Sequence, residues 1–294
     1  MSLELASNHS YNAYMKKLTL IADYGNDPLS PVEAWTAIQG NLKDYHGAQI
    51  TVVNSYPSTI HTAFLLNQLV QTEERYGIPH ETVFFINTDP RIESTEAVEH
   101  AEGAKGLIAK LAGGITIIGP NAGYCFSLIK SKIEKAYFYD GLEKGSQFRS
   151  RDLYPRVVAH LMDNMEEELD LQESSLDVIP ELRGMFVGHI DNYGNIKTTI
   201  KHSDFKGKFE YGDTVNITIN NGNQKATYVA NLFGGNVGEL VIYPGSSGDP
   251  SDSYLEISAW SHFGDTKDDK ASRTGKDFFS NLLPGMPISI EGLR

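Results

Sequence analysis

Gly188-His189-Ile190-Asp191-Asn192-Tyr193-Gly194-Asn195-Ile196-Lys197-Thr198-Thr199-Ile200 marks the point where the chain changes its structural grammar. The β-prone runs 184–190 and 196–200 predict two strands, and Asn192-Tyr193-Gly194-Asn195 between them is tight-turn chemistry. Downstream, short strand-like runs at 214–219, 226–230, 239–243, 254–259 and 287–290 alternate with clusters of Asn, Gly, Ser and Asp. No long helical period intervenes, so this half reads as a small antiparallel barrel or sandwich.

Upstream the pattern is different. Leu18-Thr19-Leu20-Ile21-Ala22 predicts a buried strand, and Pro31 opens a helix running to about residue 42. A second strand follows at 49–53, then a helix over 58–76 with Ile60, Phe64, Leu65 and Leu69 on one face. Further β runs at 82–86 and 115–118, and a helical pattern over 151–165, complete an alternation that predicts an α/β sheet covered by helices. The acidic and polar stretch from Glu166 to Pro180 reads as a linker. The expected division is an α/β domain over 1–173, a linker over 174–183 and a β-barrel-like domain over 184–294.

Composition narrows the function classes. The chain has 294 residues and a formal net charge of -13, which disfavours nucleic-acid backbones and anionic membranes as partners. Its one cysteine, Cys125, excludes an internal disulfide and reads as a small buried residue. The N-terminal residues lack a signal pattern and no apolar run reaches membrane-spanning length, so a soluble, cytoplasmic protein is expected. The nine histidines show no His-Glu-x-x-His pattern, and no metal is expected. His61 falls in the apolar helix and reads as packed; His189 precedes the turn on an alternating strand and is open to either face. The Gly/Ser-rich run 245–248 lacks the Lys-Ser/Thr continuation of a phosphate loop.

Three polar turns follow predicted strands: Asp23, Asp89 and Gly119-Pro120-Asn121. In open α/β sheets ligands gather outside the carboxyl ends of strands, so these turns outline a crevice, although each also suits a solvated loop or helix cap. The 191–195 turn offers a carboxylate, a ring and an amide, groups suited to an ammonium, a purine face and a base edge. The same residues also suit a plain hairpin loop.

Four segments taken in order resemble one family: Ala22-Asp23-Tyr24-Gly25, Asp89-Pro90, Phe148-Arg149-Ser150-Arg151-Asp152-Leu153-Tyr154, and Asp191-Asn192-Tyr193-Gly194-Asn195. They are similar to the T-D-F-G, D-P-G-V-G-T-x-R-R, T-F-H-G-R-D-I-F and D-x-F-G-N-x-x-T-N patterns of the S-adenosylmethionine hydroxide adenosyltransferases. These adenosine-forming hydrolases are related to the bacterial fluorinase and chlorinase. Gly119-Pro120-Asn121-Ala122-Gly123 further resembles the family's P-D-N-G turn. The resemblance implies an α/β domain joined to a smaller β domain, S-adenosyl-L-methionine as substrate, no separate cofactor, and homotrimers whose pockets lie between subunits.

It also implies residue roles. Asp23 would hold the ribose hydroxyls, Tyr193 would lie against adenine, Asn195 would pair with the base edge and Asp191 would meet the methionine ammonium. Ser251, in Ser251-Asp252-Ser253-Tyr254-Leu255-Glu256, resembles the family Ser that contacts the methionine carboxylate. Asp89, Arg149 and Ser150 would form the catalytic group. The chain departs from the family at several points. Asp89-Pro90 runs into Arg91-Ile92-Glu93 without the paired arginines, Arg149 replaces a histidine, Ala122 replaces an Asn and Thr199 replaces another Asn. Arginine stays protonated and accepts no hydrogen bond, so Arg149 cannot act as a base. It can instead hold Asp89 ionised.

The expected reaction is attack of water at the 5′ carbon, giving adenosine and methionine. Two alternatives stand beside it: an adenosyl-binding protein without turnover, and a halogenase motivated by Ser150. A halide beside Asp89 is repelled by about 4 kcal/mol at about 4 Å, for an effective dielectric near 20, which favours water.

Overall fold

Leu18, Leu20, Ile21 and Ala22 are fully buried because β1 (Lys17–Ala22) runs inside a sheet covered on both faces. The structure, a computed structural model, describes residues 16–43, 48–90, 103–139, 146–261 and 272–292. Residues 1–15 and the 91–96 continuation after Pro90 therefore lie outside the described residues. β1 pairs in parallel with β2 (Gln49–Asn54) on one side and with β3 (Thr82–Asn87) on the other. β5 (Thr116–Pro120) extends the parallel set beyond β3. β4 (Gly106–Leu111), β6 (Ile133–Tyr139) and β7 (Leu171–Ser174) complete a seven-stranded sheet through antiparallel pairs, in the order β2-β1-β3-β5-β4-β6-β7.

The period-two alternation of the strands sorts their side chains onto the two faces. Leu18, Leu20, Val83 and Phe85 pack with Ile38 of α1 (Ser30–Asn41) and with Tyr154, Val157 and Val158 of α4 (Tyr154–Met162). Ile21, Phe84 and Ile86 face the other way, against Leu66 and Val70 of α2 (Thr59–Tyr76). α1 starts where expected. Pro31 stands at its first turn, and the Asp27 carboxylate accepts from the backbone N–H of Ser30 at 2.6 Å.

The helical pattern predicted over 151–165 is instead broken at Leu153, into α3 (Arg149–Asp152) and α4. It stops at Met162 because Asn164 takes a left-handed φ of 51°. Within the acidic stretch, β7 is the edge strand beside β6.

From β8 (Met185–Ile190) onward the chain closes on itself. β9 (Ile196–Lys201), β10 (Thr214–Ile219), β11 (Gly222–Tyr228), β12 (Leu240–Asp249), β13 (Asp252–Ala259) and β14 (Pro287–Gly292) join β8 in a closed barrel. Its interior is filled by Val187, Ile196, Ile217, Ile242, Leu255 and Ile257. The expectation of an α/β domain followed by a smaller all-β domain is borne out. No described helix is long and apolar enough to cross a membrane.

α2 joins the two halves. Its Phe64 ring packs on Tyr254 of β13 with centroids 5.6 Å apart, and Gln68 accepts from the backbone N–H of Gly248 at 2.9 Å. Gly188 on β8 is required here, because a Cβ at that position would lie 2.2 Å from the Phe64 ring.

Candidate functional site

The carboxyl ends of β1 and β3 deliver Asp23, Asn87 and Asp89 to one side of the sheet, the position that open α/β sheets use for ligands. α3 brings Arg149 and Ser150 to the same place. Together with Tyr24, Gln147, Phe148 and Tyr154, these residues line a cavity of about 150 Å³. Asp23, Asp89, Arg149 and Ser150 thus converge.

The base of this cavity is braced. Thr88 is fully buried and its hydroxyl meets Ser55 at 2.9 Å and Thr62 at 2.7 Å, which fixes the backbone next to Asp89. Cys125 is fully buried behind it, its Sγ 3.5 Å from the Thr88 carbonyl. Burial, with the Asp89 and Asp23 carboxylates nearby, pushes the Cys125 thiol pKa up.

The Asp89 carboxylate accepts from the backbone N–H of Ala104 at 2.9 Å and lies 3.8 Å from the Arg149 guanidinium. Arg149 donates to the Ala104 carbonyl at 2.9 Å and to the Tyr154 hydroxyl at 3.3 Å, and stacks over the Tyr154 ring. Gly103, with φ of 81°, admits this arrangement: a Cβ there would lie 2.5 Å from Arg149 and 2.7 Å from Asp89. Arg149 is therefore a cavity residue, whereas Arg151 and Asp152 form an exposed pair at 2.7 Å.

Asp23 is held above the usual carboxylate range, first by burial and then by the charge of Asp89. Ser150 is fully buried and bonded to the Asn87 amide. The Tyr24 hydroxyl lies beside Ser150 and has no hydrogen-bond partner among the described residues; burial pushes its pKa up, so it keeps its proton.

The remaining predicted site residues lie on the barrel. In the turn between β8 and β9, Asp191 accepts from the backbone N–H groups of Tyr193 and Asn195, each at 3.0 Å, and from the Asn195 side-chain amide at 2.9 Å. Ser258 of β13 donates to the other end of the Asn195 amide. The Tyr193 ring is 66% exposed. Asp191 and Asn195 are thus brought together, tied to one another in a folded turn.

Ser251 is not among them. It sits at the β12–β13 hairpin, where its backbone and hydroxyl both bond the Asp249 carboxylate, at 2.8 and 2.7 Å. None of Asp191, Tyr193, Asn195 and Ser251 lines the cavity that holds Asp89.

Sequence reasoning assigned no role to Asn87, Tyr154 or Ser258. Tyr154 was visible in the third motif. Asn87 and Ser258 lie far along the chain from the groups they bond, and no local pattern marks them.

Comparison with known proteins places similarity in the barrel and across part of the chain. Residues 186–258 match the family described as SAM hydroxide adenosyltransferase C-terminal domain. An (R)-S-adenosyl-L-methionine hydrolase of Methanocaldococcus jannaschii is 25% identical over 191 residues, covering 61% of this chain and 57% of the relative. The aligned region therefore spans little more than half the length of that relative.

The fold as a whole is similar to an uncharacterized conserved protein from Thermotoga maritima. That structure superposes with a TM-score of 0.64 at 18% identity, over 93% of this chain and 99% of the other. A conserved hypothetical protein from Thermus thermophilus gives 0.59 at 16% identity, over 94% and 100%. The barrel carries the sequence pattern of a SAM hydroxide adenosyltransferase C-terminal domain. With it, the resemblance of this divergent chain to the S-adenosylmethionine hydrolase and fluorinase family is borne out at low identity.

Proposed function

We propose that the protein hydrolyses S-adenosyl-L-methionine to adenosine and L-methionine. The observation that carries this reading is the cavity where Asp89, Arg149, Asp23 and Ser150 meet at the carboxyl ends of the strands. The substrate already contains a sulfonium leaving group, so the protein has only to place and activate a water behind the 5′ carbon and exclude competing solvent. That water forms the new O–C5′ bond as the C5′–S bond breaks. The electron pair of the broken bond stays on sulfur, giving the neutral thioether of methionine, and the proton of the water passes to the Asp89 carboxylate.

Arg149 cannot take the proton; its guanidinium stands 3.8 Å from the Asp89 carboxylate, the acceptor in this reading. Ser150 supplies a hydroxyl to orient the water, and Asp23 holds the ribose hydroxyls. A cavity of about 150 Å³ is smaller than the roughly 300–1,000 Å³ of complete ligand pockets. It therefore fits the sugar and the attacking water, with adenine and the methionine tail held elsewhere. We assign those parts to Tyr193, Asn195, Asp191 and Ser251 on the barrel of a neighbouring subunit in a homotrimer. No further cofactor is invoked.

The test is to incubate purified protein with S-adenosylmethionine, with and without chloride, and to separate the products by chromatography. Adenosine formed independently of chloride supports the reading. A second reading, adenosyl binding without turnover, is favoured by Arg149 standing where a proton acceptor is expected. Calorimetric binding of adenosine with no product formation would establish it, and a chloride-dependent 5′-chloro-5′-deoxyadenosine would establish the halogenase reading instead.

A further inference from the structure

His61 and His189 are 128 positions apart in sequence, yet their rings meet where α2 packs on β8, with His61 Nε2 2.9 Å from His189 Nδ1. The rings are nearly parallel, at 16°. His61 is 5% exposed, and its other nitrogen, Nδ1, accepts from the backbone N–H of Tyr56 at 2.8 Å. That bond sets the tautomer. With Nδ1 an acceptor, neutral His61 carries its proton on Nε2 and donates it to His189 Nδ1, and neutral His189 carries its own proton on Nε2.

Both inner acceptor nitrogens are now used. A proton added to His61 Nδ1 expels the Tyr56 amide, and one added to His189 Nδ1 faces the His61 N–H. Every protonation of the pair therefore costs a hydrogen bond in a buried interface.

We propose that His61 is a positioning residue: through His189 it latches β8, the strand leading into the 191–195 turn, against the α/β domain, and acid releases the latch. The neighbours fit this assignment. Phe64 of α2 stacks on His189 at 6.5 Å, and Gly188 admits it. The charged groups acting on the pair are Lys197 of β9, which opposes a charge on His189, and Asp191 of the turn, which favours one. Lys197 is itself paired with Glu256 at 2.8 Å. The phenol of Tyr254, on β13, packs beside Phe64. Burial, then His189, pushes His61 down to about 3, and burial also lowers His189.

A histidine whose pKa is depressed in the closed form stabilises closure fully above its ordinary value of 6.5, and that contribution is lost as pH falls from there toward 3. Each proton taken up on opening changes the opening equilibrium about tenfold per pH unit below the ordinary value, and both histidines are depressed in the closed form.

Three readouts test this, and only the last rests on the adenosyl reading. Proton–nitrogen correlation NMR of histidine-labelled protein should show His61 neutral, with the proton on Nε2, between pH 7 and 5. A charged ring or the Nδ1–H tautomer at pH 7 overturns the proposal whatever the variants do.

Hydrogen exchange of the 187–190 amides, corrected for intrinsic rates, should report opening that rises about tenfold or more from pH 6 to 5. The double variant His61→Gln with His189→Asn keeps a donor facing an acceptor but cannot titrate, so its opening should be flat across that range. Equal slopes in the two proteins overturn the latch.

Adenosine affinity, read by calorimetry, should weaken severalfold over the same interval in the natural protein alone. A pH-dependent latch in a protein that binds no adenosine would leave the latch standing and reject the adenosyl reading.

Discussion

The chain places two acidic turns on two scaffolds and uses them in opposite ways. On the barrel, Asp191 spends its carboxylate on its own turn, through three hydrogen bonds of 2.9–3.0 Å to residues at most four positions away. On the sheet, among the described residues, Asp89 accepts from one backbone N–H and lies 3.8 Å from a guanidinium at the wall of a cavity, while Thr88 next to it carries the structural bonds. A carboxylate committed to local hydrogen bonds shapes a surface. One at a cavity wall, with its neighbour carrying the structural bonds, keeps oxygen lone pairs open to a bound group. The difference sets a self-contained turn on the barrel against a carboxylate at a cavity wall at the end of β3.

The largest effect is expected at Asp89. Asp89→Asn keeps the shape of the side chain and removes the proton acceptor. Turnover should fall by about 10²-fold or more, with substrate affinity within a fewfold. Steady-state kinetics beside calorimetry checks this, and a parallel loss of affinity would make Asp89 a ligand-holding residue.

Asp191→Ala should act on structure first. Losing three hydrogen bonds at a partly buried turn should cost about 1–3 kcal/mol of stability and weaken adenosine binding, as denaturant unfolding and calorimetry would show. An unchanged stability would mean that the turn is held by Gly194 and its backbone bonds to Asp191 and Lys276.

The smallest effect is expected at Asp23. Its raised pKa means that the folded protein resists its ionisation, so its contribution to stability is lost as pH rises from about 3.8 through the raised folded value. Asp23→Asn should therefore raise Tm slightly at pH 7, by about 1–3 °C, with the gain vanishing near pH 3, while adenosine affinity falls. A lower Tm at pH 7 would show that the carboxylate is structural.

The sequence made the fold legible where its patterns are local. β1, α1, α2 and β3 were predicted within a residue or two, because buried strands and an amphipathic helix write their period into the chain. β4 and β6 were not predicted. Gly106-Leu107-Ile108-Ala109-Lys110-Leu111 is buried by antiparallel partners inside a sheet otherwise read as parallel, and its apolar run has no distinguishing period. The break at Leu153 was hidden in the same way, since residues 151–165 keep a helical pattern across it.

At the site, Asp23, Asp89, Arg149 and Ser150 were recognisable from the order of their motifs, and the cavity joins all four. Ser251 stands apart from that cavity, in a hairpin where it bonds Asp249. The His61–His189 bond could not be read at all. Its partners are 128 residues apart, and neither residue carries a local mark of the other.

The most direct test of the proposed chemistry is the fate of oxygen. S-adenosylmethionine incubated with the protein in ¹⁸O-labelled water should yield adenosine carrying one heavy oxygen at the 5′ position, and the label should disappear with the product in Asp89→Asn. Protein that binds adenosine yet forms none above the buffer blank, or that forms it equally well without the Asp89 carboxylate, would contradict the account.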